Sequence, residues 1–170
     1  WMGTGDKDSE CRLMLSRDNG DSWETIGQGN QLWRAVGISS TENALYWGTD
    51  AGSVPDPNFI VKMDRRTREL TKIQEVQGPC HGNAVLADGT VFVSTGIEGG
   101  ANEQDRCAHL WQVQRDGKVQ EVYRMKKDIF PLIIQYGVMR FPMGIESCDA
   151  VVFTTYALHN GPEQVWRLGD

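Results

Sequence analysis

Apolar and polar positions along the chain fall into short runs that repeat. Cys11-Arg12-Leu13-Met14-Leu15, Asn58-Phe59-Ile60-Val61-Lys62-Met63 and Ala108-His109-Leu110-Trp111-Gln112-Val113 each lead into a polar turn headed by an aspartate. The aspartates are Asp18, Asp64 and Asp116, spaced by 46 and then 52 residues, and a second strand follows each turn. A further copy begins at Gln164-Val165-Trp166-Arg167-Leu168 and runs to Asp170. Upstream of each copy stands an apolar strand with a small-residue signature: Gly3-Thr4-Gly5-Asp6, Trp47-Gly48-Thr49-Asp50, Val93-Ser94-Thr95-Gly96 and Phe153-Thr154-Thr155-Tyr156. A third strand type precedes these at Trp33 to Ile38, Asn83 to Ala87 and Tyr136 to Phe141.

Each repeat therefore carries four strands: A, of the Trp33 to Ile38 type; B, with the small-residue signature; C, leading into the aspartate turn; and D, following it. Strands this short, rich in Val, Ile, Trp, Tyr and Thr and bounded by Gly, Asp and Asn turns, predict antiparallel sheet. Radially packed four-stranded sheets have repeats of this length. No apolar spacing of 3.6 residues is visible, and the one helix-like stretch is Arg124 to Asp128. The expected fold is all-β: a β-propeller of four-stranded antiparallel blades, with about three and a half present. The blades are expected at 1–27 (partial), 31–76, 82–125 and 133–170 (partial). The chain reads as a fragment that opens and closes inside strands, so self-association to complete the ring is an expectation.

Composition narrows the function classes. With 39% hydrophobic and 24% charged residues in 170, the chain has the makeup of a folded domain. No apolar run approaches the roughly 20 residues of a membrane-spanning helix, and no membrane span is expected. The net charge is −6, with only Arg65-Arg66 and Lys126-Lys127 as clustered cations. Nucleic acid, which requires such clusters, is not an expected partner. Cys11, Cys80, Cys107 and Cys148 show no CxxC spacing, which favours buried thiols over a disulfide framework. His81, His109 and His159 lack metal-ligand spacing, so neither a metal nor another cofactor is expected.

The segment Ser16-Arg17-Asp18-Asn19-Gly20-Asp21-Ser22-Trp23 fits the pattern S-x-D-x-G-x-[T/S]-W. The Asp18 carboxylate is suited to accept backbone N–H bonds across a tight turn. Gly20 provides a backbone conformation that a Cβ disfavours. Ser16 is expected to bond back to the turn, and Trp23 to pack beneath the hairpin. In this motif the chain resembles the Asp-box, or bacterial neuraminidase, repeat of sialidase-like β-propellers. The other turns are degenerate: Asp64 lacks the glycine and tryptophan, and Asp116-Gly117 keeps only part of the pattern. The resemblance implies that Ser16, Asp18, Gly20 and Trp23 are structural, on a rim away from the ligand face.

The B-to-C connections are long (Asp6 to Glu10, Ala51 to Asn58, Ile97 to Arg106 and Ala157 to Glu163), whereas the C-to-D turns are short. Long loops on a rigid scaffold concentrate binding residues. The expected ligand-binding residues are Trp33, Arg34, His81, Asn83, Asp50, Glu98 and Tyr136. Aromatic rings with carboxylates and amides suit a glycan or another small polyol, and for Trp33 and Tyr136 the competing reading is inter-blade packing. If the protein is an enzyme, the resemblance implies a sialidase-like glycoside hydrolase, with Asp50, Glu98, Tyr136, Arg34 and Arg140 as catalytic candidates. A third arginine for the sialidase triad is not evident. The function expected is a carbohydrate-related binding module or part of a glycoside hydrolase. The alternative is a non-catalytic scaffold that docks a protein partner through an acidic loop face.

Overall fold

A computed structural model of the chain describes residues 2–4, 10–49, 57–76, 80–95, 109–124, 137–145, 151–157 and 164–168. They form four antiparallel sheets in sequence order. The first contains β1 (Met2–Thr4), β2 (Cys11–Leu15) and β3 (Glu24–Gly29). The second contains β4 (Ala35–Ser40), β5 (Ala44–Thr49), β6 (Asn58–Asp64) and β7 (Leu70–Val76). The third contains β8 (Cys80–Val85), β9 (Val91–Thr95), β10 (His109–Val113) and β11 (Val119–Arg124). The fourth contains β12 (Gly137–Ile145), β13 (Val151–Ala157) and β14 (Gln164–Leu168). The antiparallel four-stranded sheets expected from the repeat are thus present, and the described residues contain no α-helix. The helix-like stretch at Arg124 to Asp128 begins on the last residue of β11, and 125–128 lie outside the described residues.

Within each sheet the strands pair in sequence order, and consecutive sheets meet through their first strands. β1 lies beside β4, β4 beside β8, and β8 beside β12. The second sheet is buried on both faces, which is why Ala44 to Thr49 is a continuous buried run where a half-exposed strand would alternate. Leu45, Trp47, Phe59, Val61 and Met63 pack against Leu13 and Ile26 of the first sheet. Ala44, Tyr46 and Ile60 turn the other way, onto Val91, Val93 and Val113 of the third. Two cores therefore share one sheet. Close approach is set by small residues: a Cβ on Gly48 would overlap the Cys80 side chain. Cys11 and Cys80 are both buried, while Cys107 and Cys148 lie outside the described residues.

The outermost strand of the first three sheets carries one inserted residue at the same place. Leu13 pairs with Gly27 but Met14 with Thr25, Ile60 with Gln74 but Val61 with Lys72, and Leu110 with Tyr123 but Trp111 with Glu121. Ile26, Ile73 and Val122 are the bulged residues.

The turn expected from Ser16 to Trp23 is closed by its own side chains. Ser16 Oγ accepts from the Gly20 N–H at 2.7 Å and donates to Asp18 Oδ1 at 2.8 Å. Asp18 Oδ1 also accepts the Ser22 N–H at 2.9 Å, and Oδ2 accepts the Ser22 hydroxyl. These bonds to the Ser22 hydroxyl and amide, then that from Ser16, pull the Asp18 carboxyl down to about 2. Gly20 has φ of +102°, in the region that favours glycine. One expectation is corrected. Trp23 does not pack beneath the hairpin: it is 40% exposed and lies along the turn, its indole N–H donating to Gly20 O at 3.1 Å. The turn is saturated by the short side chains of Ser16, Asp18 and Ser22, so nothing draws the large ring inward.

Candidate functional site

Antiparallel pairing separates two ends of the molecule. The short turns, at 16–23, 41–43, 65–69, 86–90 and 114–118, share one end. At the other end β5 and β9 finish and β6 and β10 begin, flanking 50–57 and 96–108. Across that end of the third sheet, Cys80, Thr95, His109 and Arg124 form one ladder row. His109 and Trp111 alternate with Leu110, so they share the face that Trp111 and Val113 turn toward the second sheet.

The common bulge aligns the second and third sheets residue by residue. Ile60 corresponds to Leu110, Phe59 to His109, Val61 to Trp111, Lys72 to Glu121 and Thr49 to Thr95. In the second sheet this corner is simple packing. The Lys72 ammonium sits 4.2 Å from the centre of the Phe59 ring, and the Thr49 hydroxyl accepts the Phe59 N–H at 2.9 Å. The same corner of the third sheet is polar. His109, only 4% exposed, places Nδ1 2.8 Å from Glu121 Oε2 and stacks on Trp111 with ring centres 6.0 Å apart. Arg124 grips the same carboxylate with two bonds, Nε to Oε1 at 2.9 Å and Nη2 to Oε2 at 3.0 Å.

The Arg124 hydrogen bonds hold the Glu121 carboxyl below its ordinary range against the opposing effect of burial, and His109 adds to them. An ionised carboxylate only accepts, so Nδ1 of His109 carries the proton of the shared bond. The arrangement fixes the plane of a buried imidazole. Nearby, the Thr95 hydroxyl and the Trp111 indole nitrogen are buried with no hydrogen-bond partner among the described residues. Two unanswered donors beside a charged triad make this a polar site inside an otherwise apolar interface.

The residues singled out from the sequence are distributed differently. Asp50, Glu98 and Tyr136 lie outside the described residues. His81 lies in β8, where the pairing slips between Cys80 and Gly82, and Arg140 lies in β12. Trp33 is not in strand A. Asn30 caps a short turn, accepting the Leu32 N–H on Oδ1 and the Trp33 N–H on its carbonyl, each at 3.0 Å, and this turn competes successfully with the sheet. The Trp33 ring covers Gly27 and stacks on Trp47 at 6.3 Å, which is inter-sheet packing. Arg34, half-buried, links that turn to β4. Asn83 faces the second sheet, where its amide donates to Tyr46 O at 3.2 Å.

His109, Glu121 and Arg124 were not singled out. The signal for them was the repeat itself, which sets His109 against Phe59. Among the described residues no three His, Cys, Asp or Glu side chains converge to hold a metal ion, and no helix is long and apolar enough to cross a membrane. No family model matches the chain, and no curated protein matches it significantly.

Proposed function

We propose that the four sheets are blades of a sialidase-like Asp-box β-propeller, and that the protein binds a carbohydrate at the end flanking 50–57 and 96–108. Support for the propeller comes from the side-by-side succession of β1, β4, β8 and β12 and from the closed Ser16–Trp23 turn. The observation that carries the function is the His109–Glu121–Arg124 triad at the corner where the second sheet has Phe59 and Lys72. Burying charge costs more than burying a phenyl ring, so packing alone gives no reason for the exchange. A fixed imidazole, a guanidinium and a stacked indole are the groups that hydroxyls and an apolar sugar face require. Hydrolysis would need in addition two carboxylates flanking the scissile bond. Asp50, Glu98 and Asp6 are the sequence candidates for that pair.

The test is a titration against a broad glycan panel, read by tryptophan fluorescence. A double variant, His109→Phe with Glu121→Lys, transplants the second sheet's own pair into the third. The native chain is expected to bind at least one glycan, and the variant to melt similarly while binding about tenfold more weakly or worse, the loss of one charge-assisted hydrogen bond. Silence across the panel, or unchanged binding by the variant, would refute the reading.

A further inference from the structure

The same two sheets part at their opposite end, the one that carries the short turns. A cleft of about 950 Å³ opens there, lined among others by Thr41, Asn43 and Tyr46 of the second sheet and by Asp88 and Arg115 of the third. Its volume lies within the range of about 300–1,000 Å³ typical of small-molecule sites. Lys62 reaches it from the middle of β6, on the same face as Ile60. In β2 the corresponding position is Leu15, so a cation stands where the neighbouring repeat has an aliphatic side chain.

We propose that this cleft binds a small hydroxylated anion, its acidic group held by Lys62 and Arg115. Neither cation has an acidic partner among the described residues. Of the acids in the lining, Asp88 is committed to its own turn, accepting the Thr90 N–H at 2.8 Å and the Thr90 hydroxyl at 3.0 Å. Glu42 is exposed, as is Arg115. Lys62 is half-buried, and an ammonium drawn partly out of water gains most from an opposite charge supplied beside it. The lining includes the buried ring of Tyr46, whose phenol is protonated at neutral pH, as any phenol is, and so able to donate; burial raises its pKa further. Asn43 adds a hydrogen-bonding group to the lining, whereas the Thr41 hydroxyl is committed to its own turn, donating to Ala44 O at 3.0 Å and accepting the Ala44 N–H at 3.1 Å. Because the whole chain is acidic at −6, attraction must come from these two side chains and will be sensitive to salt.

The experiment is a titration of the ¹⁵N-labelled chain with D-glucuronate and, separately, with D-glucose, which differ by one carboxylate. Glucuronate is expected to shift the amides of 41–44 and 86–89, glucose not to, and Lys62→Met to weaken glucuronate about tenfold while keeping the aliphatic stem. The His109→Phe, Glu121→Lys variant separates the two ends of the molecule: it should leave this titration unchanged even if it abolishes glycan binding. The proposal is overturned if glucuronate moves none of these amides, if glucose moves them equally, or if Lys62→Met binds as the native chain does.

Discussion

Trp47 and Trp23 each donate one indole N–H to a backbone carbonyl, Trp47 to Leu32 at 2.8 Å and Trp23 to Gly20 at 3.1 Å. Only their surroundings differ: Trp47 is wholly buried and Trp23 is 40% exposed. Substituting phenylalanine at either site removes the N–H and keeps an aromatic ring. At Trp47 the Leu32 carbonyl is left unanswered at the boundary of a packed core, a cost of about 1–3 kcal/mol. The smaller ring also gives up buried area and contacts worth about 1 kcal/mol. Trp47→Phe should therefore destabilise the fold by about 2–4 kcal/mol, and Trp23→Phe, where water replaces the lost donor, by under about 0.5 kcal/mol. Urea unfolding followed by far-ultraviolet circular dichroism reads both, with the Trp47 variant's midpoint lower by roughly 1–2 M at an unchanged slope. Equal midpoints for the two variants would refute the claim that Trp47 joins the first sheet to the second.

Asp18 has a carboxyl depressed from 3.8 to about 2, so its contribution is fully present above 3.8 and disappears as pH falls through 2. Asp18→Asn should accordingly flatten the loss of thermal stability between about pH 4 and pH 2; parallel melting curves for the two proteins over that window would contradict the turn chemistry. Gly48→Ala places a methyl group into the Cys80 side chain and 3.2 Å from Val93 Cγ1. It should cost about 1–3 kcal/mol of unfolding free energy, and an unshifted denaturation midpoint would mean that the second and third sheets do not pack this closely.

The parts legible in the sequence were those decided locally. Asp18, Asp64 and Asp116 head their turns because a carboxylate reaches only nearby amides. Asp64 accepts from Arg66 and Thr67, and Asp116 from Lys118, each at 2.8–2.9 Å. Where the second sheet's turn lacks glycine, Arg68 takes the left-handed conformation instead, at φ of +61°. Trp33 falls outside the strand that the apolar pattern predicts because a side-chain cap at Asn30 outweighs that pattern, a competition that hydrophobicity alone does not display. The His109–Glu121 pair is not legible in the sequence for another reason. Its partners belong to different strands, and the residue inserted at Val122 shifts the register by one, so counting along the chain does not bring them together.

The recurring insertion also governs how these sheets end. β3, β7 and β11 are the outer margins of their sheets, and a margin of regular strand is a template onto which another chain can add. At Ile26, Ile73 and Val122 the spacing of outward-facing amides and carbonyls is broken, so an incoming strand loses register after a few residues. The feature that positions the inner surfaces thus also keeps neighbouring molecules from growing onto the outer ones. Deleting Ile73, which would regularise β7, should turn its edge into a site for ordered aggregation.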